Sequence, residues 1–100
     1  MKQTNYRLRL LERLTGLETL FNNMDSLAYY DKLMSKLVVL IKAYNQNNYS
    51  VLLFGIDTLK TTVNRAMRAA TMTSEISNYF VIVSISISEI ESLISLASIE

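Results

Sequence analysis

Few side chains in this sequence could carry out acid–base or metal chemistry. Histidine and cysteine are both absent, which removes the commonest general base, the commonest metal ligand and the thiol nucleophile. The nearest carboxylate pairs are Asp25 with Asp31 and Glu89 with Glu91. Glu89 and Glu91 would point about 200° apart on a helix, and Asp25 and Asp31 straddle a predicted helix start. We therefore predict no catalytic residue, no metal site and no cofactor, and expect that the chain is not an enzyme.

The sequence also contains no motif for a phosphate-binding loop or for an activated serine. The two glycines, Gly16 and Gly55, are far apart in the sequence, so no glycine-rich loop is formed. Serine is plentiful, but only a lysine or a carboxylate could activate it in a chain without histidine. The spacing of residues thus favours binding over catalysis.

The basic residues are the charged side chains most able to form a functional surface. All ten lysines and arginines lie at or before Arg68, whereas four acids and no base follow it. One interpretation is that an acidic last helix packs among basic earlier ones; the other is a basic face for an acidic partner. Proteins that bind nucleic acid usually have a pI above 8.0, the value of this chain. Nucleic-acid binding is therefore the alternative function and protein binding the main one. The candidate basic surface comprises Arg7, Arg9 and Arg13, with Lys2 beside them, and Lys60, Arg65 and Arg68.

The elements that must position these residues are predicted to be helices. Proline is absent and glycine occurs twice, which disfavours a many-stranded fold and suits long helices. Polar clusters supply the breaks, with Asp25 or Ser26, Ser50 and Ser74 as predicted N-caps. The sequence predicts one domain over residues 1–100, with helices at about 4–21, 26–44, 50–70 and 75–99. The predicted fold is an all-α, antiparallel, up-down four-helix bundle.

The first three predicted helices each have a single apolar face with polar residues opposite. The faces comprise Leu10, Leu14, Leu17, Phe21 and Met24 in the first; Tyr30, Leu33, Met34, Leu37, Leu40, Ile41 and Tyr44 in the second; and Leu52, Ile56, Leu59, Val63, Ala66, Met67 and Ala70 in the third.

The fourth segment can be interpreted in two ways. Residues 79–88 are rich in β-branched side chains and partly alternate, as a strand would. Apolar residues also recur at spacings of four and three, which is the pattern of a helical packing seam. These seam residues are Ile76, Phe80, Val83, Ile87, Ile90, Ile94 and Ala97. We predict a helix, because no turn signal interrupts the seam.

This fourth helix carries more apolar surface than one buried face requires. A helix with so much apolar surface is usually central in its fold or shared between subunits, so we place it centrally or at an oligomer interface. The candidate partner interface comprises Val81, Ile82, Ile85, Leu93, Leu96 and Ile99.

The sequence thus predicts a small helical accessory or regulatory protein that works by protein–protein contact. We expect a homo-oligomer such as a homodimer, or a subunit of a larger complex. The alternative is a small protein that binds the RNA or DNA backbone through arginine-bearing helix faces. Because no run of 18 apolar residues occurs, we expect no transmembrane segment, and cytoplasmic residence is the expected location.

Overall fold

Four α-helices form a closed ring in this protein. The structure, a computed structural model, describes residues 5–99. Within that range the helices are α1 (Tyr6–Asn23), α2 (Tyr30–Asn45), α3 (Tyr49–Ala69) and α4 (Ser74–Ser98), and there is no strand. Consecutive helices contact each other and α1 contacts α4, but the diagonal pairs in this range do not meet. The predicted all-α four-helix bundle is confirmed.

Neighbouring helices run in opposite directions. Arg7, near the start of α1, contacts Tyr44, near the end of α2. At the other end of the same pair, the Tyr30 hydroxyl donates a hydrogen bond to the side-chain oxygen of Asn22. The turns between helices are short, so each chain reversal brings sequential helices side by side. Each of the four helices, including α4, lies at a corner of the ring. Of the two predicted locations for α4, the central one is therefore not observed.

Three helix starts differ from the predicted ones by one or two residues, and the start of α2 differs by four. The side chains of Asn5, Asn48 and Thr73 each accept a hydrogen bond from a backbone N–H of the first helical turn. The predicted caps Ser50 and Ser74 were therefore wrong by one or two positions, because an upstream polar residue takes that role. Helix α2 begins four residues later than predicted, and neither predicted N-cap there is used. Residues 24–29 instead form turns, with Leu27 and Tyr29 packed against the core.

A specific backbone turn ends α2 and prepares the start of α3. Asn47 has a left-handed φ of 55°, a conformation that asparagine tolerates better than most residues. The N–H groups of Asn47 and Asn48 then donate to the carbonyl oxygens of Tyr44 and Ala43, as in a Schellman motif. The same Asn48 caps α3, so this asparagine-rich segment serves both helix ends.

Residues 79–88 are helical, as predicted. Every seam residue of α4 is buried except Ile76, which is partly buried and packs against the core. Burial of the seam stabilises the helix more than the strand propensity of the β-branched residues favours a strand, because each buried aliphatic side chain contributes about 1.5–3 kcal/mol. The seam therefore decides the conformation.

Helix α4 is long and apolar enough to cross a membrane when judged by length and composition alone. The core helix of a soluble protein passes the same test. Eight residues of α4 are buried within this bundle, so bundle packing accounts for a large share of its apolar surface. The absence of a transmembrane segment stays a prediction.

Candidate interaction surface

Four bulky apolar side chains of α4, and that of its C-cap residue Ile99, lie on its solvent side. We call this set the outer stripe: Val81, Ile82, Ile85, Leu96 and Ile99. Their exposed fractions range from 38% for Leu96 to 83% for Ile99. They are exposed because the α4 seam turns toward the core and leaves the opposite face uncovered. Five of the six predicted interface residues are therefore exposed together on one helix face.

Leu93 is the exception in the predicted interface. It is only 6% exposed and belongs to the hydrophobic core. Its position on the flank of α4 turned toward α1 explains this, since it lines a recess together with Arg9 of α1. Leu93 is therefore a packing residue of the core, unlike the other five residues of the predicted interface.

Two recesses lie side by side along the junction of α1 and α4. One, of about 400 Å³, is lined by Gly16 and Leu20 of α1 and by Ile82 and Ile85 of α4, among others. The second, of about 310 Å³, is lined by Arg9, Ser92 and Leu96, with Glu89 bordering both. No atom of a neighbouring element lies within 4 Å of where a Cβ on Gly16 would be. The outer stripe thus borders an open groove rather than a flat surface.

Two ion pairs neutralise the acids in the middle of α4. Arg13 Nε of α1 lies 2.7 Å from Glu89 Oε2, and Lys60 Nζ of α3 lies 2.6 Å from Glu91 Oε2. All four side chains are roughly half exposed, so each pair contributes only about 0–1 kcal/mol. The two glutamates bind helices on opposite sides, as their predicted divergence requires. An acidic last helix among basic neighbours is the interpretation these contacts support.

Arg7 serves the fold rather than a free basic surface. Its guanidinium donates to the Tyr44 carbonyl oxygen at 3.0 Å and to the Tyr49 hydroxyl at 3.3 Å. It also lies 4.1 Å from the centre of the Tyr44 ring, a cation–π distance. In return, the Tyr44 hydroxyl donates to the Arg7 carbonyl oxygen. Arg7 therefore ties the start of α1 to the α2–α3 turn.

The predicted basic residues do not form one surface. Arg9 and Arg13 are on α1, whereas Lys60, Arg65 and Arg68 are on α3, and these two helices lie diagonally across the bundle. Arg13 and Lys60 are further engaged in the ion pairs with α4. Arg9, Arg65 and Arg68 are exposed, and Lys2 lies outside the described residues.

A different basic recess, between α2 and α3, was missed by sequence reasoning. Lys32 and Lys36 of α2 line it with Arg65 of α3, in a cavity of about 400 Å³ that also includes Asp31. The spacing of four residues between the lysines places them on one helix face. Their convergence with Arg65 depends on the antiparallel pairing of α2 with α3, which no local pattern reveals.

Phe54 is an exposed aromatic residue that the sequence analysis did not identify. It is 75% exposed on the outer face of α3. Its helical position opposite Leu52, Ile56 and Leu59 could have identified it as an outward-facing aromatic residue. Exposed valines are also present on α2, at Val38 and Val39, so α4 is not the sole helix with outward apolar side chains.

The titratable groups offer little to acid–base chemistry. Burial raises the pKa of Tyr79 to about 12, because a phenolate is poorly solvated in an apolar core. Tyr79 packs edge-on against Phe80, with ring centroids 5.0 Å apart, and it lines none of the recesses described above. Among residues 5–99, no group of three acidic, histidine or cysteine side chains could hold a metal ion.

No protein-family model matches the chain, and neither a curated protein nor a solved structure matches it.

Proposed function

We propose that this chain is a non-enzymatic protein–protein interaction module, a small helical accessory or regulatory protein that acts as an oligomer or as a subunit of a larger complex. The observation that carries the proposal is the outer stripe. Its five side chains stay exposed after the bundle has closed, and contiguous exposed apolar surface is typical of interaction sites.

The surroundings of the outer stripe support binding to a protein. The stripe is bordered by an open groove against α1, which could receive side chains of a partner. The half-exposed ion pairs of Glu89 and Glu91 lie at its margins. An apolar centre with a polar rim is the usual anatomy of a protein interface.

Nucleic-acid binding is the second candidate, and one observation favours it. Lys32, Lys36 and Arg65 converge on one recess and form no ion pair within the described residues. Arginine and lysine side chains arranged in this way can contact phosphate groups. Two of these three residues are not among those the sequence analysis proposed, and Asp31 in the same recess opposes anion binding.

We expect Ile85→Glu to abolish association, because a carboxylate would be buried without a partner in the interface. The measurements are the molar mass by light scattering after size exclusion and the retention of host proteins on the immobilised chain. Helical content by circular dichroism verifies that the variant is folded, which the 55% exposure of Ile85 favours.

Phe54→Glu is the matched control, since it places the same charge on an even more exposed apolar position of α3. Association that is lost with Phe54→Glu and kept with Ile85→Glu would move the interface away from α4. If the wild-type chain is monomeric at high micromolar concentration and retains no host protein, the proposal fails. Salt-sensitive binding to RNA or DNA at about 50 mM salt by the same preparation would then favour the second candidate.

A further inference from the structure

The exposed face of α4 has a nearly palindromic pattern. Positions 81, 85, 88, 92, 95 and 99 follow the four–three spacing of a helix–helix seam, and all six are exposed. Val81 and Ile85 make one end of this face apolar, and Ile99 makes the other end apolar, with Leu96 beside Ser95 on its margin. Serines occupy the middle, and small side chains there allow two helix backbones to approach. The centre of the pattern lies near residue 90.

From this arrangement we infer that the occupant of the α4 face is a second copy of this chain, packed α4 against α4 in antiparallel orientation about a two-fold axis near residue 90. The inference rests on the proposed function and specifies its partner. With the axis at that position, Val81 lies opposite Ile99 of the partner subunit. Ser88 lies opposite Ser92 of the partner subunit. A two-fold interface of this kind is self-complementary, as closed dimers require.

The recess at Gly16 favours the antiparallel orientation. Rotation about an axis perpendicular to the helices places α1 over α1 and keeps Leu96 on the side of α4 that faces α1. Along α4, Leu96 lies on the C-terminal side of the axis, and the recess lined by Gly16, Ile82 and Ile85 lies at about the same distance on its N-terminal side. Leu96 of the partner subunit therefore fills this open recess, as a knob fills a hole. In a parallel dimer the same leucine would lie on the α3 side and the recess would stay empty.

Charges at the axis also permit a second copy. Glu89 and Glu91 are each paired with a cation of their own chain, so two copies of α4 meet without facing unpaired acids. Arg13 pairs with Glu89 close to the axis, and Glu12 beside it is exposed. With α1 over α1, Glu12 of one chain approaches Arg13 of the partner subunit. The contact is therefore complementary in charge.

The available area is close to the smallest that a stable dimer needs. A 25-residue helix is about 37 Å long, and packed helices are about 8–10 Å apart. Because the 18 residues of α1 span about 27 Å, the face made by α1 and α4 offers on the order of 500–650 Å² per chain. Stable interfaces of standard size bury from about 600 Å² per partner, so this face reaches the lower end of that class.

Cysteine cross-linking tests the orientation directly, because the natural chain has no cysteine. Ser88→Cys and Ser92→Cys chains are prepared separately, one of them with a mass tag, and are oxidised alone and as a mixture. In the antiparallel dimer, identical positions lie about 6 Å apart along the helices, beyond easy disulfide reach. We expect the mixed disulfide to form at least tenfold faster than either homotypic one. Equal or faster homotypic cross-linking indicates a parallel dimer and overturns the inference.

Gly16→Leu tests the recess by a different route. It adds apolar surface but fills the hole, so we expect at least a tenfold weaker dimer in analytical ultracentrifugation. Thr15→Leu, which adds the same side chain on another face of α1, should leave the dimer unchanged. A dimer unaffected by Gly16→Leu overturns the inferred packing.

The outcomes separate this inference from the proposed function. A chain that is monomeric in light scattering, yet retains a host protein that Ile85→Glu releases, overturns the second copy and leaves the interaction module standing. A dimer that Ile85→Glu disrupts, with antiparallel cross-links, supports both.

Discussion

At the level of single residues, Leu93 and Leu96 show that two leucines within one helical turn can differ in burial. Both are leucines on α4, and the sequence pattern assigned both to a partner interface. Leu93 lies on the flank covered by α1 and is buried, whereas Leu96 remains 38% exposed. The difference arises from the orientation of α4 against its neighbour, because the hydropathy of the two residues is identical.

We expect Leu93→Ala to lower the free energy of unfolding by about 2–5 kcal/mol, since it removes buried methyl groups and leaves a cavity. Leu96→Ala is the matched control and should cost less than about 1 kcal/mol in dilute monomer. Urea denaturation followed by circular dichroism measures both. Equal losses for the two variants would contradict the burial of Leu93.

Arg7 shows that a charged residue can be used entirely within the fold. The sequence grouped it with Arg9 and Arg13 as a basic surface, but its guanidinium is held by Tyr44 and Tyr49. Those partners are about 40 positions away in the chain. Only the docking of α1 against the α2–α3 turn brings them together, so no local pattern could assign this role.

At the scale of the element, the ends of the helices depend on individual polar side chains. The segment from Asn45 to Asn48 was correctly predicted to interrupt the helices, because asparagine favours turns and caps. Which asparagine caps α3, and which one adopts the left-handed conformation, depended on backbone geometry. Asn48 takes the first role and Asn47 the second.

Substitution of Asn47 tests this helix end. We expect Asn47→Ala to destabilise the fold by about 1–2 kcal/mol, because a Cβ without a polar group disfavours the left-handed region. Asn47→Gly should retain or increase stability, since glycine adopts positive φ freely. Asn45→Ala, within the last turn of α2, is the control and should leave the stability of the fold unchanged. Thermal unfolding measures all three, and an Asn47→Ala variant as stable as Asn47→Gly would contradict the role of φ.

At the scale of the whole molecule, the ring of four helices decides which surfaces remain free. Each helix has two neighbours, so a helix apolar over most of its circumference keeps an exposed face. α4 is that helix, and its Glu89 and Glu91 pair with cations of α1 and α3. The close approach of α2 and α3 has its own requirement. A Cβ on Gly55 would lie 2.8 Å from Leu40 Cδ2, so the glycine permits this contact.

The alkaline stability of the fold should depend on Tyr79. Burial raises its pKa to about 12, whereas a tyrosine in an unfolded chain titrates near 10. Below about pH 10 both states hold the proton and Tyr79 adds no pH dependence. Between about pH 10 and 12 the unfolded state releases the proton first, so the free energy of unfolding falls as pH rises.

We therefore expect Tyr79→Phe to lose stability less steeply than the natural chain over that interval. The measurement is the urea midpoint at several pH values from about 9 to 11.5. Parallel curves for the two proteins would show that Tyr79 stays equally accessible to solvent in both states.

Four helices, with a continuous seam on the last one, could be predicted from the sequence. This was possible because apolar periodicity, polar interruptions and the absence of proline are local properties that act before the helices meet. Local pattern also placed five of the six predicted interface residues on the exposed side of α4, because they lie opposite the seam on the same helix. Tertiary structure alone decided that Leu93 is covered, that the basic groups on α1 and α3 are separated, and that Gly16 lies beside Ile82 and Ile85 in an open recess. Each of these depends on which helix faces become neighbours, and residues far apart in the chain set that choice through their mutual packing.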